Sequence, residues 1–155
     1  MRKTMDIGVI SDTHGLLRPE VLPALAGVGH ILHAGDVGDA AILDALRSIA
    51  PVTAVRGNVD RSGPCALLPA TDVVELGGLS FYMLHRLADL DLHPQAAGFA
   101  AVIYGHSHRP AVEWRDGVLY FNPGSAGPLR FSLPSSVGRI RSGNGELKPE
   151  IVALL

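Results

Sequence analysis

The stretch "VIYGHSHRP", Val102 to Pro110, sets a short apolar run directly in front of His106 and His108, with a proline closing the segment. An apolar run of this length bounded by turn residues reads as a buried strand. Side chains two apart on an extended chain face the same way, so the two imidazoles start on one side. A solvated turn is the plain reading of such a tail. The other reading is a metal site, because imidazole is the commonest side-chain donor to transition metals. The choice depends on whether the arrangement recurs along the chain.

It does recur. "DIGVI" (6–10), "HILHA" (30–34), "VTAVR" (52–56) and "AAVIY" (100–104) are short apolar runs, each followed by a polar or glycine-rich turn. Between the first three lie two segments of helical character. "RPEVLPALAG" (18–27) opens on a proline suited to a first turn and closes on Gly27. "DAAILDALRSIA" (39–50) places Ile42, Leu43, Leu46 and Ile49 on a 3.6-residue period, with Asp39 as N-cap and Pro51 as the stop. Strand, helix, strand, helix, strand predicts a parallel sheet built from βαβ units. The second half changes style. "TDVVELGGLSFYMLH" (71–85), "AVEWRDGVLYFN" (111–122) and "SVGRIRSGNGELKPEIVAL" (136–154) predict three hairpins, turning at Gly77-Gly78, Asp116-Gly117 and Asn144-Gly145. No repeat, low-complexity tract or linker interrupts the chain, so residues 1–155 are expected to form one domain.

The bulk numbers limit the function classes. A chain of 155 residues buries roughly 70% of its unfolded surface. A hydrophobic content of 47% with 18% charged residues is that of a globular protein. Net charge −2, without a Lys/Arg cluster, argues against a nucleic-acid footprint. The single cysteine, Cys65, excludes an internal disulfide and fits a reducing compartment. The basic start "MRK" is followed by only a short apolar run, and no stretch approaches a membrane span. A cytoplasmic protein without a membrane partner is expected, and its oligomeric state stays open.

The polar residues fall where the strands end. In open α/β sheets, ligands bind beyond the carboxyl ends of the strands. Asp12 and His14 follow the first strand, Asp36 the second and Asn58 the third; His85 ends a hairpin strand, and His106 and His108 follow "AAVIY". If those strands run the same way, all seven side chains converge on one edge. A mixed set of imidazole, carboxylate and amide donors suits Mn²⁺, Fe²⁺, Zn²⁺ or Ni²⁺ better than Mg²⁺ or Ca²⁺. Two close divalent ions need a shared anion between them, and Asp36 is the natural bridge. Gly35, Gly57 and Gly105, each one residue before a candidate ligand, allow sharp turns and close approach. His33, three residues before Asp36, reads as a hydrogen-bonded interior group. His30 and His93 read as surface or strand-edge residues.

The ordered motifs "DTH", "GDVG", "GNVD", "LH", "GHSH" and "NPGS" resemble the calcineurin-like metallophosphoesterase superfamily, and the chain is most similar to its small prokaryotic phosphodiesterase branch. The retromer subunit of eukaryotes is similar too. The resemblance covers about Asp6 to Ser125. It implies a four-layer α/β/β/α sandwich of two mixed sheets flanked by helices, with two divalent transition metals, Mn²⁺ favoured, at one edge. It implies that Asp12, His14, Asp36 and His108 hold one metal, and that Asp36, Asn58, His85 and His106 hold the other. A metal-bridging hydroxide would then attack the phosphorus of a small phosphoester in line, with Asp36 and Asn58 as catalytic residues and Asn58 also contacting substrate. A phosphodiester is favoured over a monoester. The alternative is a scaffold of the same fold with little or no activity, as in the retromer subunit.

Two positions depart from the family. Many members carry a histidine directly after the Asn of "GN", and here that residue is Val59, which donates no proton. Leaving groups would then depart without side-chain protonation, which favours activated or cyclic phosphodiesters. Where the family usually has glycine after the "LH" histidine, this chain has Arg86. Arg86 reads either as a salt-bridged surface residue or as a guanidinium that binds substrate phosphate.

Overall fold

The structure is a computed structural model and describes residues 4–130 and 132–155. The basic start, 1–3, therefore lies outside the described residues. Chain order is β1 (Met5–Ile10), α1 (Val21–Ala24), β2 (His30–His33), α2 (Ala40–Arg47), β3 (Val52–Ala54), β4 (Thr71–Leu76), β5 (Leu79–Leu84), β6 (Ala101–Ile103), β7 (Ala111–Arg115), β8 (Val118–Asn122), β9 (Ser136–Gly143) and β10 (Glu146–Ala153). Two mixed sheets result, ordered β10-β9-β1-β2-β3 and β4-β5-β6-β8-β7. Strands β1, β2 and β3 are mutually parallel, as are β5, β6 and β8.

The three expected hairpins form where glycine permits positive φ. Gly77 and Gly78 lie at φ 60° and 82°, Asp116 and Gly117 at 50° and 78°, Asn144 and Gly145 at 56° and 75°. Two successive residues at positive φ give the twist that matches flanking strands. The last hairpin does not extend the second sheet. It crosses to the first, where β9 lies antiparallel to β1 with Ile7 opposite Ile140.

Helix α2 begins as the sequence predicts, with the Asp39 carboxylate accepting the Ala41 N–H at 2.9 Å. It stops at Arg47, and looser turns lead on to Pro51. The first helical segment shrinks to the single turn Val21–Ala24. Pro23 removes a donor inside it, and Gly27 at φ 83° turns the chain away from any helical continuation.

Three apolar layers hold the sandwich. One, including Val21, Leu25, Ile31 and Leu46, lies between the helices and the first sheet. A second, including Ile7, Leu32, Phe81, Ile103 and Phe121, fills the space between the sheets. On the outer face of the second sheet, Tyr82, Val102 and Tyr120 are covered by Leu87, Leu90, Leu92 and Phe99. That covering layer is an irregular segment with one 3₁₀ turn, Leu87–Asp89, where the resemblance implied helices. Pro94 and Gly98 (φ 83°) break any longer helix there. Among the described residues, no helix is long and apolar enough to cross a membrane.

Because the Asp39 cap meets an otherwise unpaired helix donor, Asp39→Ala should lower stability by about 1 kcal/mol. Urea denaturation would register this as a lower midpoint with an unchanged slope.

Candidate metal centre

All the parallel strands of both sheets deliver their carboxyl ends to one edge. The loops after β1 and β2 stay zipped there: Asp12 N–H donates to Gly35 O at 3.0 Å and His14 N–H to Asp36 O at 2.9 Å. At the end of the second sheet Gly105 N–H donates to His85 O at 3.0 Å, and across the sandwich His106 N–H donates to Asp12 Oδ2 at 3.0 Å. This brings Asp12, His14 and His108 into one cluster and Asp36, His85 and His106 into another, with the donor atoms of each within 4.8 Å of one another. The two clusters abut. Asp36 Oδ2 lies 3.5 Å from His14 Nε2 in one and 3.2 Å from His85 Nε2 in the other. Asn58 Oδ1 sits 3.1 Å from His106 Nδ1 at the exposed rim. All seven residues predicted from the sequence are therefore gathered at one place.

The backbone at this edge is unusual. Asp12, His14, Asp36, His106 and His108 all adopt positive φ, between 47° and 72°. For residues with a Cβ, that conformation costs on the order of 1 kcal/mol each and persists only where surrounding structure imposes it. Two glycines make the close approach possible. A Cβ on Gly57 would overlap Asp36, and one on Gly105 would overlap Ser11 and the Asp12 carboxylate.

Several buried groups impose the geometry. The Asp60 carboxylate accepts from Gly57 N–H at 2.9 Å, Gly38 N–H at 3.0 Å and Val37 N–H at 3.1 Å, tying the β2 and β3 loops together. Asn122 donates to Gly105 O and to Ser107 Oγ, each at 3.1 Å, and accepts from Gly124 N–H at 2.9 Å. Ser125 Oγ donates to Asp12 O at 3.0 Å, so the "NPGS" turn packs directly against the first ligand loop. Sequence reasoning assigned no such role to Asp60 or Asn122. Their signal was present: Asp60 closes the motif "GNVD" and Asn122 opens "NPGS".

His33 is fully buried and bridges the ligand loops. Its Nδ1 accepts Gly35 N–H at 3.1 Å, so Nε2 carries the proton and donates to Thr13 Oγ1 at 3.1 Å. Thr13 Oγ1 in turn donates to Val37 O at 2.8 Å. His30 instead meets Thr53 Oγ1 at 2.8 Å.

The charge state of the cluster is set locally. Burial works to raise the Asp12 carboxyl, but the neighbouring His14 and His85 imidazoles and the Ser11 hydroxyl hold it below its ordinary 3.8. Burial likewise opposes ionisation of Asp36, and contact with His85 and Val59 N–H holds that group low as well. His85 is pushed up: burial disfavours its charge, but the adjoining Asp36 and Asp12 outweigh burial. His85 Nδ1 donates to Ala34 O at 2.7 Å, which aims Nε2 at the carboxylates.

These residues fit divalent cations. Asp12 Oδ1 and His85 Nε2 are buried without a hydrogen-bond partner, a state that normally costs free energy. The gaps between donor atoms, 3.3 Å for His14 Nε2 to His108 Nε2 and 3.4 Å for His108 Nε2 to Asp12 Oδ1, exceed a normal ionic hydrogen bond. They approach the roughly 3–3.5 Å between neighbouring ligands of an ion with bonds of about 2.0–2.2 Å. Arg86, by contrast, lies half exposed beside the site, with its Nε 3.9 Å from Asp89 Oδ2.

A model of the calcineurin-like phosphoesterase superfamily domain matches residues 5–144. The chain belongs to this superfamily. It is 36% identical over 146 residues to a probable metallophosphoesterase of Methanocaldococcus jannaschii, covering 85% of this chain and 73% of the relative. It is 29% identical over 151 residues to a phosphodiesterase of the same organism, covering 84% and 90%. Among solved structures, a predicted phosphoesterase from Streptococcus pneumoniae superposes with TM-score 0.77 at 26% identity, covering 99% of this chain and 91% of that one. Vacuolar protein sorting 29 from Cryptosporidium parvum superposes equally, with TM-score 0.77, at 18% identity and 96% coverage of both chains. That likeness is one of fold alone.

His33 is held neutral by burial, its pKa lowered from 6.5 to about 4. The unfolded chain takes up that proton near 6.5 and the folded chain does not. Stability from this group is thus full above pH 6.5 and is lost as pH falls toward 4, with a slope approaching 1.4 kcal/mol per pH unit. Urea midpoints between pH 7 and pH 4 should show this slope, and His33→Gln should flatten it.

Proposed function

We propose that this superfamily member is a dinuclear metal-dependent phosphoesterase acting on phosphodiesters. The observation that carries the reading is the junction of the two clusters at Asp36 Oδ2, within 3.5 Å of an imidazole in each. In this reading, Asp12, His14, Asp36 and His108 hold one ion, while Asp36, Asn58, His85 and His106 hold the other. When bound, the two ions would supply a water acidic enough to ionise near neutral pH and positive charge for the phosphoryl oxygens. Mixed nitrogen and oxygen donors favour Mn²⁺, with Fe²⁺, Zn²⁺ and Ni²⁺ as further candidates.

The chain's own groups then define the substrate. Asp36 provides the negative charge that lets two cations sit close together. Asn58, at the exposed rim, offers its amide to one ion and to a phosphoryl oxygen. Beside it, Val59 is 44% exposed, so the position that could hold a proton donor is apolar. Ester oxygens must then leave without a proton from that side chain, which suits activated or cyclic phosphodiesters. The relative named a phosphodiesterase supports the same preference.

A second reading, a scaffold without catalysis, is favoured by the likeness in fold to vacuolar protein sorting 29. The complete donor set and its orphaned polar atoms weigh for the enzyme.

After Mn²⁺ reconstitution and desalting, elemental analysis should find close to two ions per chain, and bis(p-nitrophenyl) phosphate should be hydrolysed. A chain that holds both ions but hydrolyses no phosphoester would be the scaffold.

Asp36→Asn removes the shared charge. It should leave at most one ion and cut turnover by at least about 100-fold, the upper end of what losing a mere supporting partner costs. Wild-type turnover at saturating metal would eliminate the dinuclear reading.

A further inference from the structure

The cleft beside the second cluster carries charges that the candidate ligands do not explain. Asn58 and His85 line it on the side of the second cluster, Ala70 and Leu84 contribute apolar wall, and Arg56 and Arg86 also line it. Its volume is about 260 Å³, just under the roughly 300–1,000 Å³ of small-molecule pockets. It suits one ring-sized substituent.

Arg56 is held in place without being neutralised. Its backbone N–H donates to Pro69 O at 2.9 Å, and its Nη1 donates to Leu68 O at 2.9 Å. Among the described residues the arginines in ion pairs are Arg47, Arg86, Arg115, Arg139 and Arg141, and Arg56 is in none. The remaining guanidinium donors are free to meet an anion. Arg86 is only loosely paired: its Nε is 3.9 Å from Asp89 Oδ2, with side chains 48% and 66% exposed. Such a pair is worth little in water, so an incoming anion displaces it readily. Asp89 also lines the cleft, and two guanidiniums against one carboxylate leave the wall net positive.

We infer that this cleft is the subsite for one ester arm of the phosphodiester, and that the arm bears a second anionic group, carboxylate or phosphate, met by Arg56 and Arg86. The inference rests on the phosphoesterase reading, which places the phosphorus beside His85 and Asn58. Leu84 and Ala70 take the body of the arm. A planar guanidinium presents two parallel donors to either kind of anion, which an ammonium does not.

The test uses the Mn²⁺-loaded chain and three p-nitrophenyl phosphodiesters whose second arm is benzyl, 4-carboxybenzyl or 4-phosphonobenzyl. At least one anionic arm should exceed benzyl in kcat/KM by about tenfold, the factor one charge-assisted hydrogen bond supplies. The better of the two separates a carboxylate arm from a phosphate arm. Arg56→Ala and Arg86→Ala should each reduce that ratio below about threefold, and Arg86→Lys should recover only part of it. Equal rates on all three substrates, or a ratio unmoved by both alanine variants, would overturn the subsite while leaving a phosphoesterase. Failure to hydrolyse any of them with both ions bound would overturn the phosphoesterase reading instead. A binding readout then decides the cleft separately. NMR titration of the Zn²⁺-loaded chain with benzoate or benzylphosphonate should move the Arg56 and Arg86 Nε–H resonances, and benzyl alcohol should not. Resonances unmoved by both anions would overturn it as well.

Discussion

Two buried carboxylates, Asp12 and Asp36, are held at the edge of one sheet within 3.7 Å of the same imidazole nitrogen, His14 Nε2. Like charges this close and this shielded from water need a cationic counterpart. In the structure His85, whose pKa the two adjoining carboxylates push up, supplies part of it, and the proposed metals would supply the rest. Much of the surrounding architecture serves to bring these charges together and keep them there.

Holding them requires a backbone that a relaxed chain would not choose. Five candidate ligands sit at positive φ, and several glycines, Gly57 and Gly105 among them, are pressed against a ligand or its neighbour. The opposing forces are identifiable. Asp60 gathers three N–H groups, His33 joins the β1 and β2 loops through Thr13 and Gly35, and Asn122 clamps the loop that carries His106 and His108. Behind them the intersheet core, with Phe81 and Phe121 fully buried, gives these loops rigid strand ends to spring from. Placing reactive groups on rigid elements with a hydrogen-bonded supporting layer is what a site of fixed geometry requires.

The same division separates the supported ligand cluster from the mouth of the site. Asp12, Asp36, His85 and His108, with their supports His33, Asp60 and Asn122, form a buried interior set. At the mouth, residues are exposed and contribute little to the fold: Val59 beside Asn58, and the loosely paired Arg86 beside His85. A phosphoester chemistry is supported by the interior set, and substrate choice is expected to reside in the mouth.

Local physics made much of this legible in the sequence. Short apolar runs ending in polar turns marked the strands, glycine pairs and Asp-Gly or Asn-Gly marked the hairpins, and Asp39 marked the start of α2, because each signal depends on neighbours within a few residues. The seven candidate ligands were legible for the same reason, since each lies in the short loop after a strand's carboxyl end. The first helix was overestimated, as Pro23 weighs more heavily in four residues than in ten. The covering layer over the second sheet was expected to be helical and is irregular. Tertiary structure alone decided that the last hairpin joins the first sheet through β9, since strand partners far apart in sequence leave no local mark. It also decided that Asp60 and Asn122 point inward as clamps and that Arg56 shares a cleft with Arg86. Those relations depend on distances between segments 15 to 30 residues apart, which strand pairing sets for the two clamps and packing of the two sheets sets for the two arginines.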